Sequence, residues 1–210
     1  MSDIFGPIFV ASQLEQAVVD IHEQWMETYI AELVLQIGWT GPDIPTPRSW
    51  VRRNHAEHFT RDQLPQMVVV SPGLAAPPVK DGRGVYRATW MIGVATIASA
   101  KDEQTTQDLA KFYAACSRAL MIQHQSLGGI ASNMIWMDES YDDIPSEEET
   151  SNVIAAGVNY FRIEVEGVAD WRGGPRIPFN PPPPPDPINQ PGSQDPIADT
   201  VSVTLQQEES

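Results

Sequence analysis

The feature that most constrains this 210-residue chain is its C-terminal stretch. After Trp171 the sequence runs through Arg172-Gly173-Gly174-Pro175 into five consecutive prolines, Pro181, Pro182, Pro183, Pro184 and Pro185, and continues to Ser210. Proline fixes its own φ and donates no backbone hydrogen bond, and the surrounding residues have almost nothing apolar to bury. Residues 173–210 are therefore expected to be an extended arm, disordered in isolation and held by another protein surface. The proline run stiffens its start as polyproline II, and full extension gives it a reach of up to about 125 Å. Near the end, Val201, Val203 and Leu205 alternate with Ser202 and Thr204. That alternation reads either as a strand that adds to a neighbour's sheet edge or as a frayed end with chance alternation. The prolines and these three apolar residues are the partner-contacting candidates of the arm.

The folded body must then come from residues 1–172, the size of one domain and large enough to bury a core without staples. Ser12 to Ile37 reads as one helix roughly 39 Å long. Leu14, Ala17, Val18, Ile21, Trp25, Tyr29, Leu33 and Ile37 recur at three- and four-residue steps, Ser12 and Glu15 have capping-box spacing, and Gly38 stands where a terminating glycine belongs. Trp39 to Leu64 has weak periodicity, and Pro42, Pro45 and Pro47 exclude a helix there.

Gln66 to Ser71 reads as a short buried strand closed by Pro72-Gly73, followed by a Pro-rich loop and a Gly82-Arg83-Gly84 turn. Val85 to Ser99 is the longest strand candidate and looks buried on both faces. Asp102 to His124 reads as a second helix with Leu109, Phe112, Tyr113, Cys116, Ala119 and Leu120 on its apolar stripe. Ile130 to Glu139 and Asn152 to Gly167 read as two more strands, the last with Phe161, Ile163 and Val165 inward and Arg162, Glu164 and Glu166 outward. The expected architecture is α+β, an α/β sandwich: one mixed, mainly antiparallel sheet of about four strands, packed by two long helices.

The net charge of −15, with pI near 4.4, argues against a nucleic-acid-holding surface, which is normally basic. It reads either as plain solubility or as a wall that faces DNA without holding it. Phosphates would be repelled from such a wall within a screening length of about 8–10 Å. One cysteine excludes an internal disulfide and fits a reducing compartment. The first residues lack a basic n-region, and no apolar run approaches the ~20 residues of a membrane helix. A soluble protein made inside the cell, with no membrane partner, is the expectation.

Chemistry-bearing motifs are few. There is no GxGxxG, Walker A or GxSxG pattern. Cys116 sits on the apolar stripe of the second helix and reads as a core residue rather than a nucleophile. His55 and His58 have i, i+3 spacing, but no third ligand stands at a recognisable distance. Arg48, Arg52, Arg53 and Arg61 make that region cationic, which disfavours a metal and fits a basic patch against an acidic surface of a neighbouring subunit.

The acidic segment 138–149 holds Asp138, Glu139, Asp142, Asp143, Glu147, Glu148 and Glu149 with no basic residue. It reads as a solvated loop, as a repulsive surface, or as carboxylates for acid–base or divalent-cation work. It lacks the glycine of an EF-hand. No cofactor, metal or enzymatic activity is expected.

Taken together, LPQMVVVSPGL (64–74), GVYRATWMIGVATIAS (84–99), LAKFYAACSRALMIQHQSLGGIAS (109–132), WMDESYDDIP (136–145), AAGVNYFRIEVEGV (155–168) and RGGP (172–175) resemble the tail terminator proteins of long-tailed, siphovirus-type phages of actinobacteria. The resemblance spans roughly Leu64 to Pro175, rests on a succession of segments rather than on a catalytic signature, and does not extend into the Pro-rich tail beyond Pro175. It implies a sheet flanked by helices and a homo-hexameric ring. That ring would cap the tail tube, stop its polymerisation and join it to the head–tail connector or head-closure protein, with DNA sliding through.

The implied location is the neck of a virion assembled in the host cytoplasm. Six copies at −15 carry about −90, a field that keeps DNA from sticking. Under this reading some of the acids of 138–149, or Glu164 and Glu166, face the channel. Three alternatives stand beside it. The first is another neck component, such as a head-closure or adaptor protein. The second is a Pro-rich-tailed binding module. The third is a metal-dependent hydrolase in which Asp142 or Asp143 meets His55 or His58.

Overall fold

The computed structural model describes residues 8–52, 61–144 and 153–170, all within the unit Met1–Pro175. The arm with Pro181–Pro185, Val201, Val203 and Leu205 lies outside the described residues. The elements run α1 (Ala11–Ile37), β1 (Ser49–Arg52), β2 (Gln66–Lys80), β3 (Val85–Ser99), α2 (Glu103–Gln123), β4 (Asn133–Ile144) and β5 (Ile154–Asp170). The strands form one mixed sheet in the order β1-β2-β3-β5-β4, with β1 parallel to β2 and every other pair antiparallel. The α+β expectation holds, with five strands in place of about four.

Both helices lie on one face of the sheet. Leu14, Val18 and Val19 of α1 and Met121 of α2 meet Met67 and Val69 of β2, Trp90, Ile92 and Val94 of β3, and Phe161, Ile163 and Val165 of β5. The alternation read for β5 is therefore correct: the three apolar side chains point into the core, while Arg162 and Glu164 are half-buried and Glu166 is exposed on the opposite face. On β3 the outcome differs. Thr89, Met91 and Ala95 stay half-buried, because no described helix covers that face. A small cluster of Leu64, Ile97, Ile154 and Ala156, flanked by Val68 and Val158, closes one end of it.

Several local expectations are corrected. Helix α1 starts one residue earlier than Ser12. Val10 takes the N-cap position with extended backbone, and its N–H donates to Gln13 Oε1 at 3.0 Å. Glu15 accepts from the backbone N–H of Ser71 at 2.9 Å instead of completing a cap. Gly38 does end the helix, at φ 61°, a conformation that glycine adopts without a Cβ penalty. The buried stripe steps through Leu14, Val18, His22, Met26 and Ile30, so Trp25 and Ile37 are exposed rather than core. Trp25 stacks on His124 at the rim, with ring centroids 5.6 Å apart.

Strand β2 runs through the segment expected to be a loop. Register shifts fall between Val70 and Gly73, between Leu74 and Ala76, and between Ala76 and Val79. Pro72, Pro77 and Pro78 all lie inside those irregularities, where the ladder demands no N–H. Likewise β4 continues to Ile144, so the acidic segment begins as an edge strand and not as a loop.

Helix α2 begins and ends at the residues its sequence indicates. Asp102 is the N-cap, accepting from Thr105 N–H at 2.8 Å, and His124 is the C-cap. The helix presses hard on β5. Asn159, fully buried, donates from Nδ2 to the Ala114 carbonyl at 2.8 Å. A Cβ built on Gly157 would lie 2.3 Å from the Ala110 carbonyl oxygen and 2.9 Å from Ala114 Cβ.

Between the helices, His22 is fully buried. Its Nδ1–H donates to the Val18 carbonyl at 2.8 Å, and its Nε2 accepts from the Ser117 hydroxyl at 2.9 Å. That arrangement requires the neutral ring. Burial therefore lowers its pKa to about 4, against a partial rise from the Val18 hydrogen bond and a small further lowering by His124.

Two predictions follow from these contacts. Gly157→Ala should force α2 off the sheet and lower unfolding stability by about 1–3 kcal/mol or more, read by urea denaturation. An unchanged midpoint would contradict the contact. For His22, the folded pKa lies below the unfolded value near 6.5. Its stabilisation is complete above pH 6.5 and is lost as pH falls to about 4. The expected loss is about 3 kcal/mol. His22→Gln should show a shallower stability decline than the wild type between those pH values, and parallel curves would refute the assignment.

Candidate functional site

The polar chemistry of the described residues gathers at the two outer edges of the sheet. Edge strand β4 carries Asp138, Glu139, Asp142 and Asp143, and strand alternation separates them. Glu139 pairs in register with Asn159 and Asp143 with Ala155, which places both on the helix side. Asp138 and Asp142 pair with Tyr160 and Ala156 and point to the opposite face. This division explains why four acids tolerate one strand: neighbours in sequence are directed apart.

On the helix side a polar cluster forms that the sequence did not reveal. Arg118 of α2 donates from Nη1 to Glu139 Oε2 at 2.6 Å, and the Glu139 side chain is only 8% exposed. The Arg118 guanidinium also lies 4.9 Å from the centroid of the Trp136 ring. Tyr141 donates its hydroxyl to Glu139. Burial and that carboxylate push the Tyr141 phenol up to about 12. The Trp136 indole N–H is shared, at 3.1 Å each, between the Asp138 carbonyl and Asn159 Oδ1. The only sequence signal for Arg118 was a lone cation between apolar helix positions.

Asp143 is more loosely held, with Gln107 Nε2 at 3.4–3.5 Å from its two oxygens. Asp142 makes no ion pair among the described residues. Glu164 lies on the uncovered sheet face and is 3.5 Å from Arg87, with side chains 26% and 47% exposed. Such an exposed pair contributes little stability, but it offsets the charge of Glu164. Glu166 borders a hollow of ≈ 200 Å³ with Asp81, Tyr86 and Arg87. A second hollow of ≈ 110 Å³ lies between Lys111 and the Tyr141-Asp143 segment. Both are smaller than the ~300–1,000 Å³ of an ordinary small-molecule site. Glu147, Glu148 and Glu149 lie outside the described residues.

At the other edge stand the basic candidates. Arg48 Nη1 donates to the Asp62 carbonyl at 3.5 Å, and its backbone N–H donates to the Pro65 carbonyl at 2.8 Å. Arg52 Nη1 donates to the Ser12 carbonyl at 3.0 Å, tying the end of β1 to the start of α1. Both side chains remain exposed. Arg61 opens a short 3-10 turn, Arg61–Gln63. Arg53, His55 and His58 lie outside the described residues, and with them the expected meeting of the two histidines with Asp142 or Asp143.

Cys116 is fully buried, and burial pushes its thiol up to about 12, which leaves no thiolate for chemistry near neutral pH. Among the described residues no group of three or more His, Cys, Asp or Glu side chains is placed to hold a metal ion. No described helix is long and apolar enough to cross a membrane. No known family's sequence profile matches the chain, and no curated protein matches it either.

Proposed function

We propose that this protein is a structural ring subunit of a phage neck, a tail terminator that caps the tail tube and joins it to the head connector. The observation that carries this reading is the acidic edge strand: β4 presents Asp138, Asp142 and Asp143 in the open, in a chain of net charge −15. A closed ring of such subunits surrounds its axis with negative potential, and DNA then slides without adhering. The α+β body, with two helices on one sheet face, agrees with the fold that the resemblance implies.

Within this reading the channel candidates are the acids directed away from the helices, Asp138 and Asp142. Glu164 is a poorer candidate because Arg87 faces it. Termination is occupation of a growing end. One ring face takes the place of the next tube ring, while the other offers the connector a surface that no tube subunit fits.

The test is electron microscopy of the purified full chain and of virions labelled with antibody to it. Six-fold rings with a central opening, and label at the junction of tail tube and head connector, are the expected result. Label on the head side of that junction would assign the chain to another neck component. Isolated monomers with no label on virions would overturn the reading.

A further inference from the structure

The two outer strands of the sheet are matched in charge, direction and register. From β1 to β4 the sheet reverses strand direction three times, so β1 and β4 run antiparallel. Following paired residues across the sheet, Arg52 lies on the row of Val69, Val94, Asn159 and Glu139. Trp50 lies on the row of Met67, Thr96, Gly157 and Tyr141. One alternation step before β1, Arg48 falls level with Asp143.

The five that lie in β1 and β4 belong to the helix side of the sheet, and Arg48 stands one residue before β1 with its backbone N–H on the Pro65 carbonyl. A second copy set beside the first, edge to edge, therefore brings three pairs together: Arg48 with Asp143, Trp50 with Tyr141, and Arg52 with Glu139. Two are opposite charges and one is aromatic, the kinds of cross-strand pair that stabilise antiparallel strands.

We infer that β1 of one copy docks antiparallel on β4 of the next, so that the ring is built by continuing the sheet from subunit to subunit. The surfaces involved are different patches of the same chain. The contact is thus head-to-tail, which closes into a ring when the rotation per copy is right. Ile135, Trp136 and Met137, exposed at 42–47% on β4, extend the apolar part of the acidic edge beyond the four-residue span of β1. Tyr141 and Asp143 come to face Trp50 and Arg48, while Asp142, on the other face, lies on the row of the uncharged Ser49. The inference rests on the ring reading for its biological role but not for its geometry.

The test is sedimentation equilibrium of the full chain and of charge-reversed variants, with circular dichroism to verify the fold. Wild type should associate. Arg48→Glu and Asp143→Arg should each lower the association constant at least about tenfold, since like charges then face each other. The double variant Arg48→Glu/Asp143→Arg should restore it, and so should an equimolar mixture of the two single variants. Glu166→Arg, exposed on the inner strand β5 and off both edge strands, should change it by less than about twofold, the spread expected for a charge outside the contact.

A monomeric wild type, or association indifferent to the two single reversals, would overturn the edge contact. In the second case the ring itself would survive. Edge-dependent rings that never label the tail–head junction would instead remove the neck assignment and leave this contact standing.

Discussion

Everything on the helix side of the sheet depends on how closely α2 is seated on β5. Gly157 presents no side chain to the Ala110 carbonyl, and two residues on, Asn159 donates to the Ala114 carbonyl. A missing Cβ and a buried amide thus fix the helix at two points one turn apart. The same Asn159 accepts from the Trp136 indole, so the edge strand is positioned by the residue that seats the helix. Arg118, one turn further along α2, then meets Glu139 and the Trp136 ring. The polar cluster at the acidic edge is in this sense an outgrowth of core packing.

The arrangement keeps the sheet covered on one side, and among the described residues its two outer strands have no further strand beside them. Helices on a single face shield the large apolar side chains of β2, β3 and β5 but do not reach past the edges. A sheet edge is a row of unused backbone donors and acceptors, and proteins blunt it with charge. Here the blunting has opposite sign at the two edges, acidic on β4 and basic next to β1. Like edges of two copies repel while unlike edges attract, which favours a directional, head-to-tail order over a symmetric pair.

Much of the fold was legible in the sequence where regular patterns were long. Val85 to Ser99 and the helix between Asp102 and His124 are where the alternation and the apolar stripe put them. The short strand β1 was not legible, because four residues carry no period and Ser49–Arg52 becomes a strand only through its pairing with β2. Burial of His22 in place of Trp25 was hidden for a related reason: Ser117, which satisfies the imidazole, lies 95 residues away in sequence. The acids of β4 read as loop because charge outweighs alternation in a sequence window. Their cation, Arg118, comes from another element. At the candidate site the acidic and basic residue types were evident, but their placement at opposite edges on shared rows is a property of sheet topology alone.

The prolines of β2 have a further consequence. Beyond Val69 the far half of β2 loses its β1 neighbour and stands at the margin of the described sheet. Pro72, Pro77 and Pro78, together with the register breaks around them, interrupt the backbone ladder along that margin. An incoming strand finds no continuous run of donors there. Among the described residues, regular pairing on this side is confined to the four residues of β1. Such a margin withholds the long, uniform template from which fibrils grow, even where copies of the chain are crowded together.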